Sequence, residues 1–452
     1  MFSACAKYQY EAKPVKPEQI ADEFMSRRLD NPELRDFFQQ YGYPLQQWPL
    51  VEWDLQALSL AAYYYHPELQ IAIAQHGLKK ASELIAAEKI NPGINIPLEH
   101  HSDTSDDRSP WLIGLLFDLV LEREGKRQAR LDKAQAETQA ARINIQSVAW
   151  DIYSRLRQRY INYYSALKDE ELNRAQATVM EEILKILERR RELGQSSEFE
   201  VSATRLELQR LRLTLTNKHL AIVDAYNALA GAIGTPVDAL DNVNLLFTDI
   251  DKLAGNNELA QKDLQTLALQ QRLDIQQALQ EYAVDEAALR LEIEKQYPDI
   301  TLSPGFVFDQ DDKIWALAAS WVLPLFHPQN EGPIRKALAQ REVKQAEFLA
   351  LQSRIINEIS TARARLSAQN AALKQAESLV EELLTREKQV QRQYELGYVD
   401  HLQLNRSKFE TIAAQQALSE IRLSAVKAAS QLEDAIQCPL TDQHIYRYIF
   451  KN

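Results

Sequence analysis

Residues 190–207 read RRELGQSSEFEVSATRLE, and residues 392–403 read RQYELGYVDHLQ. Each segment closes a long stretch free of both Gly and Pro: 126 to 193 before the first, 334 to 396 before the second. Two more such stretches follow them, 195 to 230 and 398 to 438. At ~1.5 Å per residue the first stretch is a helix of roughly 100 Å and the third one of roughly 95 Å, several times the ordinary length. Gly194 and Gly397 sit where a left-handed residue closes a helix. Ser197 followed by Glu200, and Asp400 followed by Gln403, then have the spacing of capping boxes that start a second helix at once. The chain therefore makes two tight helical hairpins, 203 residues apart.

The rods must pack along their length. Ile355, Ile359, Ala362, Leu366, Leu373, Ala376, Val380 and Leu383 alternate steps of four and three, broken only at Gln369. Ile145, Ala149, Ile152, Leu156, Tyr163 and Ala166 do the same around Arg159. Both are coiled-coil seams. The offset between the hairpins recurs elsewhere: His66-Pro67-Glu68-Leu69 resembles Arg272-Leu273-Asp274-Ile275, Pro92 matches Pro298, and Glu124-Gly125 matches Glu331-Gly332. An internal duplication is expected.

The 452 residues carry a net charge of -12, which argues against non-specific affinity for nucleic acid or anionic lipid. With 12 Gly and 16 Pro the chain has too few punctuators for a sandwich or doubly wound fold. Cys5 and Cys438 lie at opposite ends and exclude a disulfide framework. No run approaches ~18 apolar residues, so a spanning helix is excluded and any membrane passage needs strands or a lipid. Four apolar runs could supply strands: 93–98, 111–121, 300–308 and 314–326. They differ little from buried hairpins of a soluble domain by local pattern. Geometry separates the two readings, because four strands cannot close a barrel and an open edge is forbidden in lipid, so several chains would have to pool their strands.

On these features the chain resembles the TolC family of outer-membrane efflux proteins from about residue 50 to 440. The resemblance is carried by Leu121-Glu122-Arg123-Glu124-Gly125-Lys126-Arg127, by residues 194–207, and by Leu323-Pro324-Leu325-Phe326 with Asn330-Glu331-Gly332-Pro333-Ile334. The last pieces are most like the heavy-metal efflux lipoprotein branch. The resemblance implies a mainly α homotrimer in which four strands per chain build a twelve-stranded barrel in the outer membrane and the long helices build a periplasmic α-barrel. It implies no bond chemistry and no cofactor. The expected function is a passive exit duct for small molecules or metal ions, working with a periplasmic adaptor and an inner-membrane pump. The rivals are a conduit for type I protein secretion and a soluble coiled-coil scaffold. The expected divisions are 1–50, an anchor and extended segment; 51–250 and 251–440, the two repeats; and 441–452, a tail.

Phe2-Ser3-Ala4-Cys5 is similar to the end of a lipobox, which makes Cys5 the expected acylation site although no apolar region precedes it. The resemblance places Glu200, Asp400, Gln403 and Arg406 at the periplasmic entrance, with Gly194, Ser197 and Gly397 shaping the turns. Gln403 and Arg406 stand where the family often has Asp, so an Asp ring is not assumed, and capping alone accounts for Ser197, Glu200, Asp400 and Gln403. Trp111, Trp315 and Trp321 lie near strand ends and fit an interfacial aromatic girdle, and they fit a core nearly as well. His100, His101, Asp103, Asp106 and Asp107 fall in an expected external loop, where polar residues are the default, so no metal site is expected there; His327 reads as structural. The dense Glu188-Arg189-Arg190-Arg191-Glu192 reads as a solvated face with pairs three and four apart, the alternative being contact with the adaptor near the tip.

Overall fold

The computed structural model describes residues 10–45, 47–102, 108–248, 250, 261–323, 325–326 and 328–439. Cys5, Asp103, Asp106, Asp107 and His327 lie outside these described residues. The first long Gly-free and Pro-free stretch is one helix, Glu124–Glu192, and its return is Glu198–Ile233. The second pair is Glu331–Glu395 and His401–Ile436. In chain order the helices are α1 (Pro17–Met25), α2 (Pro32–Gln40), α3 (Leu55–Tyr65), α4 (Pro67–Ala87), α5 (Glu124–Glu192), α6 (Glu198–Ile233), α7 (Gln261–Gln271), α8 (Leu273–Glu294), α9 (Glu331–Glu395) and α10 (His401–Ile436). No helix among the described residues is long and apolar enough to cross a membrane.

The amino-terminal fifty residues differ from the extended segment expected of them, since α1 and α2 lie there. Both begin with a proline at the first helical position, where the missing N–H has no partner to lose. Asn31 adds a cap by accepting from the Glu33 amide at 2.9 Å. The same chemistry that breaks a helix inside thus starts one at its edge. Helix α3 is apolar on every side and lies at the centre of the largest core, with Leu55, Leu58, Leu60, Ile152, Leu156, Tyr160, Leu229 and Ile233. A second cluster joins α7 and the seam residues Ile355, Ile359, Ala362 and Leu366 to the end of α10. Both cores sit far from the hairpin turns. Between them Arg157 of α5 is completely buried; it pairs with Glu433, donates to Asp434 at 2.7 Å and to the Ser430 carbonyl at 2.9 Å, and so ties the first half to α10. A charge so placed needs this full set of acceptors to offset its desolvation.

The strands are β1 (Glu52–Trp53), β2 (Gly93–Asn95), β3 (Leu98–His100), β4 (Trp111–Leu121), β5 (Asn244–Leu245), β6 (Ile300–Asp309) and β7 (Asp312–Ser320). A parallel pair, β1 with β5, clamps the junction between the halves. The others form one antiparallel sheet in which β2 and β3 both pair with β4, β4 with β6 and β6 with β7. The first expected strand is therefore two pieces, interrupted at Pro97, whose carbonyl accepts the Gly114 amide at 3.0 Å. A Cβ on Gly114 would come within 2.7 Å of the Pro97 ring, so the break and the glycine fit together. The fourth strand ends at Ser320 rather than 326, because its partner runs out: Ser320 faces Thr301, one residue from the start of β6. Trp321, Val322 and Leu323 consequently lie beyond the sheet. Between β6 and β7, Gln310 and Asp311 both have positive φ, the two-residue turn that suits a twisted hairpin.

Candidate functional site

The sequence-predicted site residues gather in two regions, the hairpin tips and the sheet. At the tips, Gly194 and Gly397 have φ of +73° and +79°. Around Gly194, the Gln195 amide donates to the Arg190 carbonyl at 2.7 Å and the Gly194 amide to Arg191 at 2.9 Å; around Gly397, Tyr398 and Gly397 repeat the pattern onto Gln393 and Tyr394. These are paired helix-closing bonds that a Cβ at the left-handed position would strain. Ser197 Oγ then accepts from the Glu200 amide at 3.2 Å, and Asp400 from the Gln403 amide at 2.8 Å.

The return half of each capping box is replaced by something else at Glu200. Its carboxylate accepts from Ser196 Oγ at 2.8 Å and from Arg406 of the other hairpin at 3.0 Å. Asp400 likewise receives Arg190 from the other hairpin at 2.5 Å. The Gln403 amide and then the Arg190 guanidinium hold the Asp400 carboxyl below the usual carboxylate range. The tips are thus cross-linked by two reciprocal ion pairs, each joining residues more than two hundred positions apart. Beneath them Ile183, Leu187, Val201 and Leu402 form a small apolar cluster drawn from both hairpins. The basic run before the first turn departs from its expected reading. Arg189 does pair along its own helix with Glu192, but Arg190 reaches Asp400, Arg191 reaches Glu198, and Glu188 receives Arg205.

In the sheet the register sorts residues by face, because directly paired residues point the same way. Trp111, Ile113, Leu115, Phe117, Leu119 and Leu121 of β4 share a face with Ile94, Leu98 and His100, and with Ile300, Leu302, Phe306 and Phe308. Pro304 pairs with Leu317 and Phe306 with Trp315, which extends that face across β7. Trp315 is 84 % exposed upon it. The other face holds Leu112, Gly114, Leu116, Val120, Thr301, Ser303, Gly305, Val307, Ile314, Ala316 and Ala318, and with them every carboxylate of the sheet: Glu99, Asp118, Asp309 and Asp312. Lys313, across from Phe308, is on the apolar face at the turn. Asp118 is fixed by the Ser303 hydroxyl at 2.6 Å, with Gly93 as its neighbour on the other side. At the turn end, His101 Nε2 lies 3.0 Å from Asp309, and the His100 ring stands edge-on to Trp111. Among the described residues no three potential metal ligands converge.

Of the three tryptophans, Trp111 and Trp315 sit on the apolar face toward the β6–β7 turn end, and Trp321 follows the last strand at the helix end. Arg190, expected only as part of a solvated face, pairs across the tips, and Asp118 is a site residue with no counterpart among the expected ones. Asp118 had a usable signal, as the lone charge in an otherwise apolar run of eleven; Arg190 had none beyond its proximity to a turn.

The profile of the outer membrane efflux protein family matches residues 62–235. The cobalt-zinc-cadmium resistance protein CzcC of Cupriavidus metallidurans is 26 % identical over 56 % of the chain, and that match spans only 58 % of CzcC's own length. The pyoverdine export outer membrane protein OpmQ of Pseudomonas aeruginosa is 23 % identical over 90 % of the chain and 88 % of its own. Among solved structures, the outer membrane protein VceC of Vibrio cholerae superposes with a TM-score of 0.68 at 19 % identity, covering 86 % of this chain and 97 % of VceC. The hairpins, the two-faced sheet, the profile and the relatives agree in making the chain similar to outer-membrane efflux proteins, and its fold is like that of VceC.

Proposed function

We propose that the chain is the exit duct of a tripartite efflux system, seated in the outer membrane with its helices in the periplasm. The observation that carries this is the two-faced sheet. An apolar face that continues over β4, β6 and β7 suits lipid, while the carboxylates on the reverse suit an aqueous passage. Eleven residues of β4 at ~3.4 Å each, tilted by about 45°, rise about 26 Å, which matches the ~25 Å apolar band of outer-membrane barrels. Among the described residues of one chain both edges of the sheet, β2–β3 and β7, are unpaired. Lipid does not tolerate such edges, and three copies would close a twelve-stranded barrel. The same threefold arrangement would gather the helical hairpins into a tube below it.

The two halves support an origin by duplication. Helices α3 and α4 recur as α7 and α8 at an offset of 206, and α6 and α10 have equal lengths of 36 residues. The partners are a periplasmic adaptor at the tips and an inner-membrane pump that supplies the free energy, and the duct itself makes and breaks no bonds. Its cargo is small molecules or metal ions, and the carboxylates facing the passage favour cations. Reconstitution of the purified protein in planar bilayers, with its mass measured in detergent, tests the proposal. Three copies and a steady conductance are expected. A solitary chain that partitions into the soluble fraction and conducts nothing would refute it.

A further inference from the structure

Asn405 is fully buried, and neither its Oδ1 nor its Nδ2 meets a hydrogen-bonding partner. It stands on α10 three residues after Leu402 and four before Phe409, the spacing of one helix face. Both of those neighbours pack into the apolar tip cluster, Leu402 with Ile183, Leu187 and Val201 at its centre and Phe409 against it. An amide therefore occupies a seam position that the surrounding chemistry fits for an aliphatic side chain. Leaving both ends of a buried amide unbonded is among the more costly things a fold can do. A helix face of this kind gains stability from Leu, which has the same number of side-chain heavy atoms and the same branching.

The surroundings give the cost a direction. Two ion pairs, Arg190 with Asp400 and Arg406 with Glu200, hold the hairpins together within a turn or two of Asn405. Those pairs are partly exposed, and each contributes little. We propose that Asn405 is a counterweight to these pairs. In the packed tip its amide is enclosed and has no partner in the protein; once the hairpins separate it is open to solvent. The difference lowers the free energy of separating the tips and keeps packed and separated arrangements close in energy. A polar residue at one seam position, accepted at a loss of stability, is a known means of controlling helix association. Here it would control how readily the association is undone.

Hydrogen exchange of the assembled full-length protein tests this without reference to transport, by following backbone amides of residues 183–205 and 397–409. Asn405→Leu is expected to slow tip exchange on the order of tenfold while leaving the equatorial helices α3 and α4 unchanged. Asn405→Asp, which puts a carboxyl group in the same enclosed place, is expected to speed it by at least as much. Unchanged or faster exchange in N405L, or unchanged exchange in N405D, would overturn the proposal; if N405L fails to assemble, the N405D result decides alone. A second measurement rests on the duct reading: in planar bilayers N405L should spend less time conducting than the unaltered protein. Absence of conductance in every form would count against the duct, and the exchange result would stand by itself.

Discussion

Leu115 and Leu116 are neighbours at the middle of β4 that point to opposite faces, and replacing each in turn by Arg tests the membrane sheet. Leu115 shares the apolar face with Phe306; Leu116 lies over Gly305 on the face that carries Asp118. Both are about five residues from either strand end, close to the level at which a lipid-facing Arg costs about 2 to 4 kcal/mol in a barrel. Leu115→Arg should therefore lower the stability of the assembled sheet by that amount per chain, about 30-fold to several hundredfold in its equilibrium constant. At Leu116 the guanidinium can extend into water. Its cost is the lost packing of a half-buried leucine, of order 1 kcal/mol, set against a new attraction to Asp118 two residues away. The assay is urea unfolding of the protein reconstituted in lipid, followed by Trp fluorescence. L115R should be the less stable by at least about 1 kcal/mol, and L116R should remain assembled. Equal losses, or a larger loss at Leu116, would mean that the odd positions of β4 do not face lipid.

The Asp400 carboxyl, held low by the Gln403 amide and by Arg190, contributes tip stability that is fully present above the ordinary Asp value of about 3.9 and is lost as pH falls through the lower folded value. Tip exchange, corrected for its intrinsic pH dependence, should accordingly stay level from pH 7 to about 5 and quicken only below about 4; a step near pH 6 would contradict this. Asp118→Asn should reduce the cation preference read from reversal potentials across a salt gradient, whereas Glu200→Gln, whose charge is already matched by Arg406, should change it less.

The hairpins could be read from the sequence because everything that makes them is local: Gly194 and Gly397 to stop a helix, Ser197 and Asp400 to start the next, and long stretches without a breaker between. The apolar runs could be read as strands, but not their ends. Those depend on partners, as Ser320 and Pro97 show, and a single strand carries no record of where its neighbour stops. Helices α1 and α2 depart from the extended segment expected of residues 1–50 because Pro17 and Pro32, which would break a helix inside, stand at its first position. The tip pairs were out of reach for another reason. Arg190 with Asp400 and Arg406 with Glu200 span 210 and 206 residues, and each arginine sits in an ordinary charged helix face. Arg157 is the sharpest case, since an arginine within a heptad reads as solvent-facing, yet its acceptors are supplied by the far end of α10.

The two large cores and the buried Arg157 grip α5 around Leu156, while the chain turns at Leu193. Thirty-seven residues of helix separate the two places, about 55 Å. Each hairpin is a beam fixed at one end and only lightly fastened at the other. A tilt of some 5° at the fixed end, within what small side-chain adjustments accommodate, would carry the free end sideways by about 5 Å. In the proposed duct, the spacing of the tips is thus set from the cores, at the far end of the same helices.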